Sequence, residues 1–196
     1  TRTMFEDALR NVVACLQEPV ATPSIIPMYF ACERDRYDVE TALIGQGPDE
    51  LFGGYPRHLG LRYGGYWRSL PAWTRNCVSS ALAKLPRNEM LKRGLYSLDV
   101  SAPMKRYQNI LSIIAGWEAD SLFHEGSLAA GAGDEILKCW ADLEEPMRGT
   151  DDLGGLQYIE VRSSLPDELL MYAAKLSMAH GLELRVPYLD RTIVDY

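Results

Sequence analysis

Residues 41–55 read TALIGQGPDELFGGY, and the rest of the chain is organised around them. The short apolar run Thr41-Ala42-Leu43-Ile44 predicts a buried strand. The chain then turns at Gly45-Gln46-Gly47-Pro48, and two adjacent carboxylates, Asp49 and Glu50, precede Leu51-Phe52-Gly53-Gly54-Tyr55. A strand feeding a glycine turn and a helix start is a natural place to hold phosphates. Glycine lets the backbone come close, and the free N–H groups of a helix N-terminus attract anions. Acidic side chains are poor partners for a bare phosphate, but they fit if a divalent cation sits between them. Taken alone, the stretch reads more simply as a plain strand–turn–helix corner.

Upstream, residues 3–17 predict a helix. Thr3 and Glu6 have the spacing of a capping box, and Met4, Phe5, Ala8, Leu9, Val12, Val13 and Leu16 form one apolar face. Pro19 ends it, a loop follows through Ser24, and residues 27–36 predict a second helix before the strand. A helix, a strand and a glycine turn in this order fit an α/β unit with a parallel sheet. Downstream, the text is helical, with breaks expected at Gly64-Gly65, Pro71, Pro86 and Gly94. One helix is expected over residues 71–85, with Trp73, Cys77, Val78, Ala81 and Leu85 inward. Ser101 is a candidate cap for a helix with Pro103 in its first turn. Residues 116–125 are ambiguous, and residues 126–133 read as a surface loop. Further helices are expected over 134–143, with Ile136, Leu137, Trp140 and Leu143 on one side, and over 151–162. A last helix is expected from Pro166 to Ala179, with Leu169, Leu170, Ala173, Ala174 and Leu176 facing mainly inward.

The 196 residues suffice for one domain with a real core. Hydrophobic content of 47% and charged content of 24% are those of an ordinary globular protein. A formal net charge of −7 argues against nonspecific binding to nucleic acid or anionic membranes. Cys15, Cys32, Cys77 and Cys139 form no CxxC pair and read as buried thiols of a reducing, cytoplasmic compartment. No stretch is long and apolar enough to span a bilayer, and no basic-then-apolar start suggests export. The chain begins at Thr1 and stops within what reads as a new helix, so an excised piece of a longer protein is expected.

A second motif lies about 120 residues beyond the first. Residues 176–190 read LSMAHGLELRVPYLD, which resembles the MSMAHxLExRxPFLD segment of the asparagine synthetase family. The first stretch resembles that family's Ser-Gly-Glu-Gly-x-Asp-Glu-x-Phe-Gly-Gly-Tyr signature. Two long motifs in order are far more specific than a glycine loop. The resemblance implies an α/β, adenine nucleotide alpha hydrolase-like fold. Of that fold, residues 1–196 would be a single domain, the C-terminal portion of the ATP-dependent synthetase domain. This portion itself reads as mainly α-helical, with about one strand near residues 41–45. The N-terminal glutaminase domain and the upstream pyrophosphate loop Ser-Gly-Gly-x-Asp-Ser are not in these residues, so the piece alone is expected to be inactive.

The family's chemistry activates aspartate with ATP as an acyl-adenylate, releases pyrophosphate, and forms the amide with ammonia drawn from glutamine. ATP and magnesium are the implied cofactors. Aspartate or another carboxylic acid, ammonia and the glutaminase domain are the implied partners, and a homodimer is compatible. By the match, Ile44, Gly45, Gln46, Gly47 and Asp49 line the ATP and substrate site, and Asp49 contacts magnesium through pyrophosphate. The plainer reading of Asp49 is a cap on the helix starting near Leu51, and both roles can coexist. Lys175 matches a family cation thought to assist adenylate formation; its plainer reading is a solvated helix lysine. Gln46 and Lys175 are the candidate catalytic residues. Glu50, Arg185, Asp190 and His180 read as scaffold, the last at a helix end. His58 and His124 have no partner spacing for a metal or a triad. Two departures stand out. Gln46 replaces a family glutamate that handles a proton, and glutamine cannot act as a base; Ile44 replaces a family serine. Both are compatible with a relative acting on another carboxylate, such as a β-lactam- or peptide-cyclising ligase, or with a non-catalytic homologue serving as a binding module.

Overall fold

The computed structural model describes residues 2–20, 22–83, 89–112 and 137–196, and for residues 83 and 89–93 only the backbone. The expectations at Leu85, Pro86, His124 and Ile136 and over residues 116–125 and 126–133 lie outside these residues. What is described is mostly helical, with a two-stranded parallel sheet. The chain divides into two compact units, Thr1–Gly54 with Glu160–Tyr196, and Tyr55–Ile159.

In the first unit, α1 (Arg2–Leu16) and α2 (Ile25–Asp35) pack with a third helix from the far end of the chain, Met171–Ala179. Ala8, Val12 and Leu16 of α1 meet Ile25, Ile26 and Tyr29 of α2 and Tyr172, Ala173 and Leu176 of that third helix. Strand β1 (Thr41–Leu43) pairs in parallel with β2 (Glu183–Arg185), with Ala42 opposite Leu184. Parallel neighbours require a long crossover, so the two signature motifs are joined by backbone hydrogen bonds across the sheet. Ile44 N–H donates to the Arg185 carbonyl at 2.9 Å, and Glu183 N–H to the Glu40 carbonyl at 2.8 Å. After β1 comes α3 (Pro48–Phe52), and after β2 a 3-10 turn, Pro187–Leu189.

The second unit holds α4 (Pro56–Ser69), α5 (Ala72–Ala83), α6 (Glu89–Asp99), α7 (Pro103–Leu111), α8 (Ala141–Glu144) and α9 (Asp152–Ile159). Its core is Leu61, Leu98, Tyr107, Met147, Leu156 and Ile159. Arg106 is buried in this unit. Its Nε donates to the Val100 carbonyl at 2.9 Å, and its guanidinium also bonds the Ser101 carbonyl and Asp152. Asp152 pairs with Arg68 as well, so one carboxylate in the first turn of α9 ties α4 and α7 to that helix.

The first unit continues with a π-helix, Glu160–Leu170, leading into α10 (Met171–Ala179), and closes with α11 (Arg191–Val194). Pro166 therefore lies inside a π-helix and opens no new one. Proline lacks the N–H of a regular helical ladder, and the wider π pattern accommodates it.

Several other expectations are corrected. The capping box is absent: α1 already includes Arg2, whose Nε bonds the Glu6 carboxylate at 2.7 Å. Strand β1 is not buried, Leu43 being 73% exposed, and β2 adds a strand where one was expected. In α1 and α5 the apolar stripes are real, but Met4, Phe5, Leu9 and Val13, and Trp73, Cys77, Val78 and Ala81, are exposed. Ala174 is exposed too. Gly64-Gly65 and Gly94 break nothing, and at Gly64 tight packing is the reason: a Cβ there would stand 2.7 Å from Leu98 Cδ2 of α6. Ala102, not Ser101, holds the N-cap position of α7, which has no side-chain cap bond. The thiols are free as expected, yet Cys77 and Cys139 are exposed rather than buried.

Leu176 is fully buried among α1, α2 and α10. Leu176→Ala is expected to destabilise the protein by about 2–5 kcal/mol through lost burial and a residual cavity. Equilibrium denaturation checks this; a loss under about 1 kcal/mol would mean that the three helices do not share this core.

Candidate active site

The first motif builds a tight corner. Gly47 precedes α3 with φ of 101°, a left-handed conformation that favours glycine, and Leu189 fills the space where its Cβ would stand. Pro48 takes the first helical position. The helix has only five residues, so it lacks the length for a sizeable macrodipole, and the expected helix-terminal pull on anions is small. The adjacent carboxylates take opposite environments. Glu50 is 2% exposed, whereas Asp49 is exposed and its side chain makes no hydrogen bond or ion pair among the described residues.

Ile44 is half-buried against the first core and holds the end of β1 to β2. Gly45 is exposed, with nothing within 4 Å of where a Cβ would lie, so the backbone there can be approached closely. Gln46 reaches across the unit and donates from Nε2 to the Tyr172 hydroxyl at 3.4 Å. Tyr172 was not anticipated from sequence, where nothing marks it beyond its place three residues before Lys175. Burial pushes its pKa up, against the hydrogen bond from Gln46, with the charges of Glu168 and Glu50 adding to the rise. Its hydroxyl therefore stays protonated at neutral pH.

Tyr172 and Lys175 are three apart on α10 and share a face of that helix. The Lys175 ammonium donates to the Leu16 carbonyl and stands 3.8 Å from a Glu18 carboxylate oxygen. A cation there meets an open carbonyl at the negative end of α1, a favourable position. Among the described residues its bonds go to that helix end and not to residues 45–49. The structure thus joins Gln46 to α10 through Tyr172, while Lys175 is held one helical turn further on. Arg185 bonds Glu183, and Asp190 caps α11 by accepting from Thr192 N–H at 2.8 Å; the Thr192 hydroxyl first, and then this N–H, lower the Asp190 pKa.

Among the described residues no three acidic, histidine or cysteine side chains converge to cage a metal. A lone, unengaged, exposed carboxylate suits magnesium, which keeps few protein ligands and takes its remaining oxygens from phosphates and water. Asp49 fits that role.

His180 ends α10, with its ring edge-on to Tyr29 at 4.6 Å and its buried Nε2 without a hydrogen-bond partner among the described residues. Burial lowers its pKa; Arg36 adds to this and Glu33 opposes it. The protonated form is thus penalised on folding. Its stabilising share is present above the unfolded pKa of about 6.5 and is lost as pH falls through the lower folded value. Denaturation followed from pH 8 to pH 5 is expected to show declining stability that is smaller in His180→Gln; parallel curves would remove His180 from the linkage.

The comparisons with known proteins agree in kind. A family model described as asparagine synthase matches residues 1–196. The "putative asparagine synthetase (glutamine-hydrolyzing)" of Mycobacterium tuberculosis is 31% identical over 189 residues, 95% of this chain and 28% of that protein. The Mycobacterium bovis protein of the same name matches equally. Asparagine synthetase (glutamine-hydrolyzing) 1 of Bacillus subtilis is 26% identical over 198 residues, 97% of this chain and 29% of that protein. The chain therefore spans less than a third of the length of these curated relatives. No solved structure gives a significant match.

Proposed function

Since the chain belongs to the asparagine synthase family, we propose that the protein carrying it is an ATP-dependent ligase that makes asparagine. Aspartate is activated at its side-chain carboxylate as an acyl-adenylate with release of pyrophosphate, and ammonia from glutamine displaces AMP. The observation that carries this reading is the placement of residues 45–49 and the Lys175-bearing helix in one unit, joined through Gln46 and Tyr172.

In this reading the open backbone at Gly45 receives the nucleotide. Asp49 holds magnesium, which when bound neutralises phosphate charge. Lys175 stabilises charge developing on the transferred group, exchanging its bonds to Leu16 and Glu18 for phosphate oxygens. Gln46 orients the acyl group or the amine by hydrogen bonding; it cannot remove a proton, so deprotonation falls to another group. The parallel pair β1–β2 belongs to a larger α/β sheet of the adenine nucleotide alpha hydrolase type. The glutaminase domain is the partner that supplies ammonia, and the compartment is the cytoplasm. Residues 1–196 alone, without a Ser-Gly-Gly-x-Asp-Ser pyrophosphate loop, make no asparagine.

With the full-length protein, aspartate-dependent pyrophosphate release is expected, and Asp49→Asn is expected to lower it about 100-fold. Release with a different acid and none with aspartate would overturn the substrate assignment in favour of a cyclising amide ligase. No release with any acid would favour a binding module. For residues 1–196 alone, calorimetry is expected to find weak ATP binding at most; micromolar, magnesium-dependent binding would contradict this.

A further inference from the structure

The two glycines that close the first motif act differently. Gly53 ends α3 with φ of 81°, and its N–H donates to the Asp49 carbonyl at 3.0 Å. A side chain there would strain the backbone. Gly54 has no positive φ. Its N–H donates to the same Asp49 carbonyl at 3.1 Å, so the chain folds back over the start of the helix. A Cβ on Gly54 would then stand 1.9 Å from Asp49 Oδ1 and 2.8 Å from its Cγ, but 3.3 Å from its Cα. The first two separations are impossible, and the third is tight but tolerable. A methyl group at residue 54 would therefore evict the Asp49 carboxylate while leaving the backbone beneath it nearly in place.

We infer that Gly54 is a positioning residue for Asp49: its bare Cα leaves the room in which that carboxylate rests beside the glycine turn. Asp49 has no hydrogen bond or ion pair to fix it among the described residues, so the shape of this pocket and its own rotamer preference set where the charge points. The ligand class is a divalent cation carried by a polyphosphate. The inference rests on the metal role proposed for Asp49 and adds a residue that touches neither cation nor substrate.

The test uses the full-length protein and two readouts: the magnesium dependence of pyrophosphate release, and binding of manganese in the presence of ATP, followed by electron paramagnetic resonance. Gly54→Ala is expected to raise the cation concentration needed in both by about 10- to 100-fold. Asp49→Asn is expected to do the same, and the double variant to add little to either, because the two changes remove one interaction. Cation dependence unchanged in Gly54→Ala but weakened in Asp49→Asn would overturn the inference and leave the proposed function standing. Cation dependence unchanged in Asp49→Asn would overturn the inference together with the metal role. If Gly54→Ala does not fold, adding Asp49→Ala removes the clashing oxygens and is expected to restore the fold; a double variant that stays unfolded would overturn the steric conflict itself.

Discussion

Burial of one face of α10 between α1 and α2 is the constraint on which the first unit depends. Leu176 and Ala173 lose their contact with water against Val12, Leu16, Ile26 and Tyr29, and this fixes the helix in rotation as well as position. Once it is fixed, the neighbouring residues have little choice. Tyr172 presents its hydroxyl to Gln46, and Lys175 meets the carbonyl end of α1. Apolar packing between segments some 150 residues apart thus places the polar groups that the proposed chemistry uses.

The corner after β1 shows how adjacent, chemically similar residues are given separate tasks. Glu50 faces the interior and Asp49 the outside, because successive helical residues point about 100° apart. The interior carboxylate contributes to the field that keeps Tyr172 protonated. The outer one is free to meet a cation. Three glycines make the corner possible, two by backbone conformation and one by leaving room. The second unit adds a polar device to its apolar core: Arg106 is satisfied by two carbonyls and the Asp152 carboxylate, and Asp152, by also pairing with Arg68, ties α4 and α7 to α9.

The two motifs were legible as motifs, and so were most of the helices around them, because apolar periodicity and proline signals act over a few residues. Pro71, Pro103 and Gly181 mark ends or starts that the structure keeps. Misreadings came where a neighbour decides. Gly64 carries a helix-breaking cost of about 1 kcal/mol, which its close packing against Leu98 outweighs. The stripe Phe5, Leu9 and Val13 has the right period for a core face, yet period alone does not say which element, if any, covers it. Tyr172 carries no local mark, since its role comes from a partner 126 positions away.

The linear order of residues thus determined the glycine corner, its paired carboxylates and the helix bearing Lys175, since each follows from the conformational limits of neighbouring residues. Tertiary packing decided which carboxylate is buried, where the lysine's charge rests and what a side chain at residue 54 would displace. Those outcomes depend on distances between groups that the chain brings together only when its apolar faces leave water.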